Sequence, residues 1–186
     1  MFDRVLCDVP CSSDAAIRKL PQKWATWGTR ESQSLHPLQI KLLQRGIETL
    51  KVGGKISYST CSLNPIENEA VVAAILKEYG DTIELLDVEL PNFKFQPGLT
   101  SWEFMNVKSR DDCIKIEEGG STESFFDSFE SFDKVPNDIK FNKTSLVIKE
   151  SMFCDSYSPE IKTQLTKCLR VLPHHQNTSG FFITII

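Results

Sequence analysis

The chain lacks several features that would have placed it quickly. No apolar run approaches the roughly 20 residues a membrane-spanning helix needs. No basic start followed by an apolar stretch marks a secretory signal, so the expectation is an intracellular chain with no membrane partner. The six cysteines (Cys7, Cys11, Cys61, Cys113, Cys154 and Cys168) include no C-x-x-C pair and no Cys/His cluster at zinc-ligand intervals. That spacing argues against a structural metal and for free thiols, as in a reducing compartment. Histidine is scarce: His36, His174 and His175 are the whole supply, and none sits in a recognisable dyad motif. Nor is there a surplus of positive charge, since the net charge is -4, which does not advertise a nucleic-acid binder. The distribution is uneven, however. Residues 1–110 hold 13 Lys/Arg against 13 Asp/Glu, whereas residues 111–186 hold 8 against 12. The acidic excess therefore lies mainly in one segment.

What is present suits one soluble globular domain: 186 residues, 40% apolar and 25% charged. Phe2 to Val9 reads as a short buried strand ended by Pro10. Residues 13–34 are polar, with Arg18, Lys19, Lys23 and Arg30 interleaved with Trp24 and Trp27. Leu35, Leu38, Leu42, Ile47 and Leu50 then recur at helical spacing, and Gly53-Gly54 is expected to stop that helix. A second strand, Lys55 to Ser59, follows. Asn64 reads as a helix N-cap, Pro65 as its first helical position and Glu67 as a capping-box acid. Ile66, Ala70, Val71, Ala74 and Ile75 give the buried stripe of this helix down to about Tyr79. Thr82 to Leu90 looks like another strand. The alternation is the doubly wound α/β rhythm. Residues 109–140 are rich in Ser, Asp, Glu and Gly, with Phe125, Phe126, Phe129 and Phe132 scattered through them. They read as a loosely ordered insertion. A helix near Pro159–Lys167, a strand at about Cys168–Leu172 and an apolar closing strand, Gly180–Ile186, complete the chain.

Two short motifs carry chemistry. Asp8-Val9-Pro10-Cys11-Ser12 and Ser59-Thr60-Cys61-Ser62-Leu63-Asn64-Pro65 each follow a strand, so each thiol is delivered where open α/β folds place their active groups. Cys61 lies close to the expected helix start, whose unpaired N–H groups lower a thiol pKa. Pro10 stiffens the presentation of Cys11, and Asp8 projects beside it. Cysteine attack on a carbonyl would want a histidine base. Attack on C6 of a pyrimidine needs only acid assistance at N3, and it makes C5 nucleophilic. Simpler readings stand beside this one. A cysteine at a strand end is commonly a small buried residue, Asp8 can cap a turn, Arg18-Lys19 can be a solvated face, and His174-His175 can be loop residues.

These motifs, with Arg18-Lys19, the run Tyr58 to Val71, and Cys168-Leu169-Arg170-Val171-Leu172-Pro173-His174-His175-Gln176-Asn177-Thr178 followed by Gly180-Phe181-Phe182, resemble the Nop/Sun family of RNA cytosine-C5 methyltransferases. Within it, the eukaryotic multisite tRNA branch is the nearest. Four motifs in the same order make the resemblance specific, and it is weakest across residues 109–150. It implies the C-terminal half of a Rossmann-like class I methyltransferase domain: a mostly parallel sheet with helices on both faces and an antiparallel last strand. It implies S-adenosylmethionine as methyl donor, RNA (in particular tRNA) as partner, and the nucleus or nucleolus as location. Cys61 would attack C6 and form a covalent adduct, and Cys11 would assist its release. Asp8, the third catalytic residue, would lie at the junction of methyl donor and cytosine, contacting one or both, and Pro10 would meet the donor. Ser12, Arg18, Lys19, Thr60 and His174 would face the RNA, whose target base must be unpaired or flipped.

The chain departs from the family in two ways. Ser13, Asp14 and Ala15 replace glycines usual after Pro-Cys-Ser, which would strain a turn that needs φ > 0. A Gly-containing donor turn after a first strand is also missing, so on the family's architecture the chain begins at the fourth strand. The expected organisation is residues 1–108 as a partial catalytic core, 109–150 as an acidic loop-rich insertion and 151–186 as the closing helix and strands. Expected of the chain alone are little donor binding, no methyl transfer and self-association through uncovered apolar surface. The alternatives left open are a truncated noncatalytic form that binds RNA or protein, and, on weaker grounds, a thiol-redox protein.

Overall fold

A computed structural model describes residues 1–107, 126–140 and 148–186. Its main sheet has the order β1-β2-β7-β6-β3, formed by Phe2–Asp8 (β1), Leu50–Thr60 (β2), Phe181–Ile185 (β7), Leu169–Val171 (β6) and Gln96–Pro97 (β3). β1 and β2 are parallel, with Val5 opposite Ile56, Cys7 opposite Tyr58 and Asp8 opposite Ser59. The crossover between them carries the long helix α2 (Thr29–Glu48), preceded by a single turn, α1 (Lys23–Thr26), as a parallel pair requires. β7 runs antiparallel to β2, β6 to β7 and β3 to β6. The α/β class and the antiparallel last strand are as expected. The parallel character is narrower than "mostly parallel" implied: among the described strands it is confined to β1–β2, and β7, β6 and β3 each run antiparallel to their neighbour.

Alternation along the strands decides which face is covered. Ile56, Tyr58 and Phe182 pack with Leu43 of α2, with Val71, Val72, Ile75 and Leu76 of α3 (Glu69–Tyr79), and with Leu165 of α5 (Pro159–Leu165). Tyr58 and Phe182 meet edge to face at 6.3 Å. On the other face Leu6 is 78% exposed. The described helices that build this core thus cover one face of β1–β2, not both.

Several local expectations shift. The buried stripe of α2 is Ser32, Gln33, His36, Gln39 and Leu43, while Leu38 and Leu42 are 44% and 37% exposed. The helix is rotated because it packs on loop backbone that needs donors: Gln39 Nε2 donates to the Pro10 carbonyl at 2.9 Å, and His36 Nδ1 lies 2.6 Å from the Ile66 carbonyl. The helix ends at Glu48, and Gly53-Gly54 lie inside β2, where pairing jumps from Phe2–Leu50 to Arg4–Lys55. Gly53 has φ 75° at this bulge. Thr82–Leu90 is not a strand. A 3₁₀ turn, Gly80–Thr82, opens the segment, and a backbone bond from Leu86 N to Ile185 O attaches it to the sheet without a ladder.

The phenylalanine-rich tract is partly ordered. Phe126–Phe129 (β5) pairs antiparallel with Phe104–Val107 (β4). Phe129 and Phe132 pack on a second core of Ile66, Phe104, Val135, Ile148, Met152 and Phe153, in which Phe104 stacks on Phe153 at 4.8 Å. A further turn, α4 (Asn137–Lys140), follows. These aromatics find partners in segments about 20 residues or more away in sequence, so local composition did not reveal them. Cys113, Phe125 and the rest of the expected loop lie outside the described residues.

Candidate active site

β1 and β2 end side by side, and that adjacency brings the two motifs together. Cys11 Sγ and Cys61 Sγ are 3.3 Å apart, and the Ser13 hydroxyl is 3.4 Å from Cys61 Sγ. Either thiol can donate in this contact; with Cys11 as the donor, the bond, with help from Ser13 and against partial burial, lowers the Cys61 pKa to about 6. The same bond and the adjoining anion push Cys11 well above its ordinary range. At neutral pH the geometry therefore favours a Cys61 thiolate braced by a Cys11 thiol, the reactive form of a nucleophilic cysteine.

A buried carboxylate holds the motifs in register. Glu67 Oε1 accepts from Ser12 N at 2.8 Å and from Gln39 Nε2 at 3.1 Å, while Oε2 accepts from Ser12 Oγ at 2.5 Å and Ser62 Oγ at 2.8 Å. Ser12 follows Cys11 and Ser62 follows Cys61, so a single side chain grips the residue after each thiol. Burial raises the Glu67 pKa, and the surrounding donors partly offset that. Its reading as a capping-box acid is corrected. α3 begins only at Glu69, and Glu67 sits in the preceding turn with its side chain turned inward. Asn64 does serve that turn, accepting from Ile66 N at 3.0 Å.

Further anchors fix the second loop. Arg170 makes a buried two-pronged ion pair with Glu69, 2.5 and 2.7 Å, and donates to the Leu63 carbonyl at 3.0 Å. Asp14 Oδ1 accepts from Leu63 N at 2.8 Å, and Ala15 N donates to the Cys61 carbonyl at 3.2 Å. Ser13, where a glycine was expected, does adopt a left-handed conformation, φ 59°, ψ 26°. The strain in that turn is real, of order 1 kcal/mol for a non-glycine residue. Sequence reasoning missed Glu67, Glu69 and Arg170 as site-building residues. The only signal was their position inside the two later motifs.

Other candidates separate by exposure. Asp8 is exposed at the end of β1 and accepts from the Ser59 hydroxyl at 2.8 Å; Pro10 is exposed beside it. Ser12 and Thr60 are fully buried. Ser12 is committed to Glu67, and Thr60 donates to Asn68 Oδ1 at 2.7 Å. Both stand as internal braces, because a buried hydroxyl with its bonds made offers nothing to an RNA. Arg18 is exposed yet bonded to Asn177 Oδ1 at 2.6 Å and the Thr178 carbonyl at 3.0 Å, tying its turn to the C-terminal loop. Lys19 and Trp24 are exposed nearby. His174 is exposed on the single turn α6 (Pro173–Gln176), edge to face with His175. His36 takes no part in the thiol pair. It is buried between the Ile66 carbonyl and the Ser151 hydroxyl, its pKa lowered to about 4 by burial. Among the described residues no group of three His, Cys, Asp or Glu could hold a metal ion, and no helix is long and apolar enough to cross a membrane.

The chain is 38% identical over 187 aligned positions to the tRNA (cytosine(34)-C(5))-methyltransferase of Drosophila melanogaster, covering all of this chain and 22% of that protein. It is 41% identical to the multisite-specific tRNA:(cytosine-C(5))-methyltransferase trm4b of Schizosaccharomyces pombe, covering all of this chain and 24% of that one. The chain thus spans about a quarter of the length of these curated relatives. A crystal structure of a methyltransferase homologue from Pyrococcus horikoshii superposes with TM-score 0.56 at 26% identity, over 99% of this chain and 38% of the other. NSun6 from the same organism, solved with SFG, shares the fold, with TM-score 0.51 at 19% identity over 97% of this chain and 28% of the other. A family model described as 16S rRNA methyltransferase RsmB/F matches residues 1–111, the span that holds both cysteines, Asp8 and Glu67. The chain belongs to the RsmB/F methyltransferase family.

Proposed function

We propose that this chain carries the cysteine pair of an S-adenosylmethionine-dependent RNA cytosine-C5 methyltransferase acting on tRNA. The observation that carries the reading is the 3.3 Å contact between Cys11 and Cys61; on this reading Cys11 holds the proton and Cys61 the charge. The Cys61 thiolate adds to C6 of an accessible cytosine, forming a C–S bond and shifting electron density to C5. Release follows once C5 is substituted: the C5 proton leaves to a base, the C5–C6 double bond re-forms and the C6–S bond breaks. Cys11, donating its S–H to the departing sulfur, stabilises the returning thiolate, so the bond that lowers the Cys61 pKa also makes Cys61 a better leaving group.

Asp8 fits the donor side. Its carboxylate is exposed at the strand end, Ser59 orients it, and it offers acceptor capacity to a cationic, amine-bearing molecule. S-adenosylmethionine, when bound there, supplies the methyl group for C5. No Gly-rich donor turn occurs in these 186 residues, so methyl transfer by them alone is not expected. Arg18, Lys19 and His174, all exposed, are proposed RNA contacts. A nuclear location is part of the same proposal.

The test is adduct trapping in the whole protein with RNA containing 5-azacytosine at the target position. A covalent complex is expected with the wild type, none with Cys61→Ala, and an accumulating adduct on ordinary RNA with Cys11→Ala. An adduct that survives Cys61→Ala would refute the assignment.

A further inference from the structure

The thiol pair carries a second chemistry besides addition to carbon. Cys11 Sγ and Cys61 Sγ stand 3.3 Å apart, and a disulfide bond is about 2.05 Å long, so the sulfurs have only about 1.3 Å to close. Both residues are half-buried, which leaves neither sealed from a small solute. Glu67 grips the residue after each thiol, Ser12 and Ser62. The approach is therefore built into the fold, not left to a chance encounter across the intervening chain.

The two thiols are also unlike. With Cys11 as the donor in their contact, Cys61 has its pKa lowered to about 6 and is largely thiolate at neutral pH. A thiolate within reach of solvent, with a second thiol beside it, is the arrangement of a redox-sensing cysteine and its resolving partner. The other described thiols are differently placed. Burial raises the Cys7 pKa, and Cys168 is buried with its pKa pushed up to about 12. Cys154 is buried, and its S–H is donated to the Thr100 carbonyl.

We propose that Cys11 and Cys61 are an oxidation site, which hydrogen peroxide converts to a reversible disulfide that switches the site off. The Cys61 thiolate attacks one peroxide oxygen. The S–O bond forms, the O–O bond breaks, and the departing hydroxide takes the Cys11 proton and becomes water. The Cys11 thiolate then attacks the Cys61 sulfenic acid; the S–S bond forms, the S–O bond breaks and hydroxide leaves. The two sulfurs give up two electrons, and these reduce the peroxide. A dithiol reductant reverses the bond by exchange. The off-state rests on the RNA-methyltransferase reading above, since the disulfide removes the nucleophile that adds to C6. It also protects the site, because a sulfenic acid captured by Cys11 does not go on to the irreversible sulfinic acid.

Two measurements test it. In the first, the chain is treated with hydrogen peroxide, unfolded in iodoacetamide and mapped by peptide mass spectrometry. A linked Cys11–Cys61 peptide pair should form and should vanish on treatment with dithiothreitol, while Cys154 and Cys168 stay alkylatable. In urea the same bond should form at least about tenfold more slowly, because the pairing and the thiolate are both lost. Cys11→Ala should leave Cys61 as a sulfinic acid that dithiothreitol does not restore. Sulfinic acid on Cys61 of the wild type with Cys11 still free, or a bond that forms as fast in urea, overturns the switch. In the second, peroxide should abolish the adduct of the whole protein with 5-azacytosine RNA, and dithiothreitol should restore it. An adduct unchanged by peroxide, with no disulfide mapped, overturns the switch and leaves the function standing. An adduct that forms fully on protein whose Cys11–Cys61 disulfide is mapped upholds the oxidation site and overturns the catalytic reading, and the off-state with it.

Discussion

Replacing Glu67 separates fold stability from thiol chemistry. Glu67→Ala removes the acceptor for Ser12 N–H, Ser12 O–H, Ser62 O–H and one Gln39 N–H. Gln39 keeps the Pro10 carbonyl, and the two serine hydroxyls, 3.4 Å apart, can bond each other. That leaves the Ser12 N–H, one hydroxyl proton and one Gln39 N–H stranded. At about 1–3 kcal/mol each, and with a cavity added, the expected destabilisation is about 3–5 kcal/mol. Glu67→Gln keeps one carbonyl oxygen but sets an NH₂ group against hydroxyls that had been donating, so a smaller loss of about 1–2 kcal/mol is expected. The chemical readout is the pH dependence of thiol alkylation with peptide mapping. In the wild type, Cys61 should label selectively, with half-maximal rate near pH 6. In Glu67→Gln the grip on Ser12 and Ser62 loosens and the negative charge that helps keep Cys11 protonated is gone. The Cys61 midpoint should rise and the preference over Cys11 should shrink. Urea denaturation supplies the stability. A Glu67→Ala protein with wild-type stability, or a Glu67→Gln protein with an unchanged alkylation midpoint and selectivity, would refute the reasoning.

Other expectations follow from the same contacts. Cys11→Ala removes the largest stabiliser of the Cys61 thiolate, so the alkylation midpoint should move from about 6 toward the ordinary thiol range; an unmoved midpoint would place the cause elsewhere. Ser13→Gly relieves the left-handed strain and should stabilise the fold by about 1 kcal/mol in denaturant titrations, while loss of the hydroxyl raises the Cys61 pKa in the alkylation assay. His36 is buried neutral, with its pKa near 4 against an ordinary value of about 6.5. Its contribution is intact above pH 6.5. It erodes as pH falls, because the unfolded chain takes up a proton that the native site refuses, by about 3 kcal/mol at pH 4. Urea midpoints between pH 7 and pH 4 should show this loss, and a His36→Gln variant should show a flatter profile. The exposed Leu6 and the β1 edge, unpaired among the described strands, predict self-association measurable by sedimentation.

The elements that were legible in advance are those set by short-range rules. β1 ends at Asp8, just before Pro10, β2 carries its alternation through Tyr58, α5 starts at Ser158-Pro159 with the serine hydroxyl capping Ile161 N, and β7 is an apolar run. The errors fall where partners are distant. Leu38 and Leu42 looked like a core stripe, but α2 turns polar residues inward to serve the backbone of Pro10 and Ile66. Thr82–Leu90 has strand composition and no neighbour to pair with over its length. Phe129 and Phe132 read as loop residues until Phe104 and Phe153 were beside them.

The sequence alone determined the chemistry available: two thiols in Pro-Cys and Thr-Cys contexts, a carboxylate before the first, and no histidine dyad. Side-chain identity and local order suffice for that. Only the tertiary structure decided how the thiols differ. The contact between them is a 3.3 Å separation between residues fifty positions apart, set by the parallel register of β1 and β2 and held by Glu67 from a third segment. A hydrogen bond depends on distance and direction, and no spacing along a chain encodes either until the chain has folded.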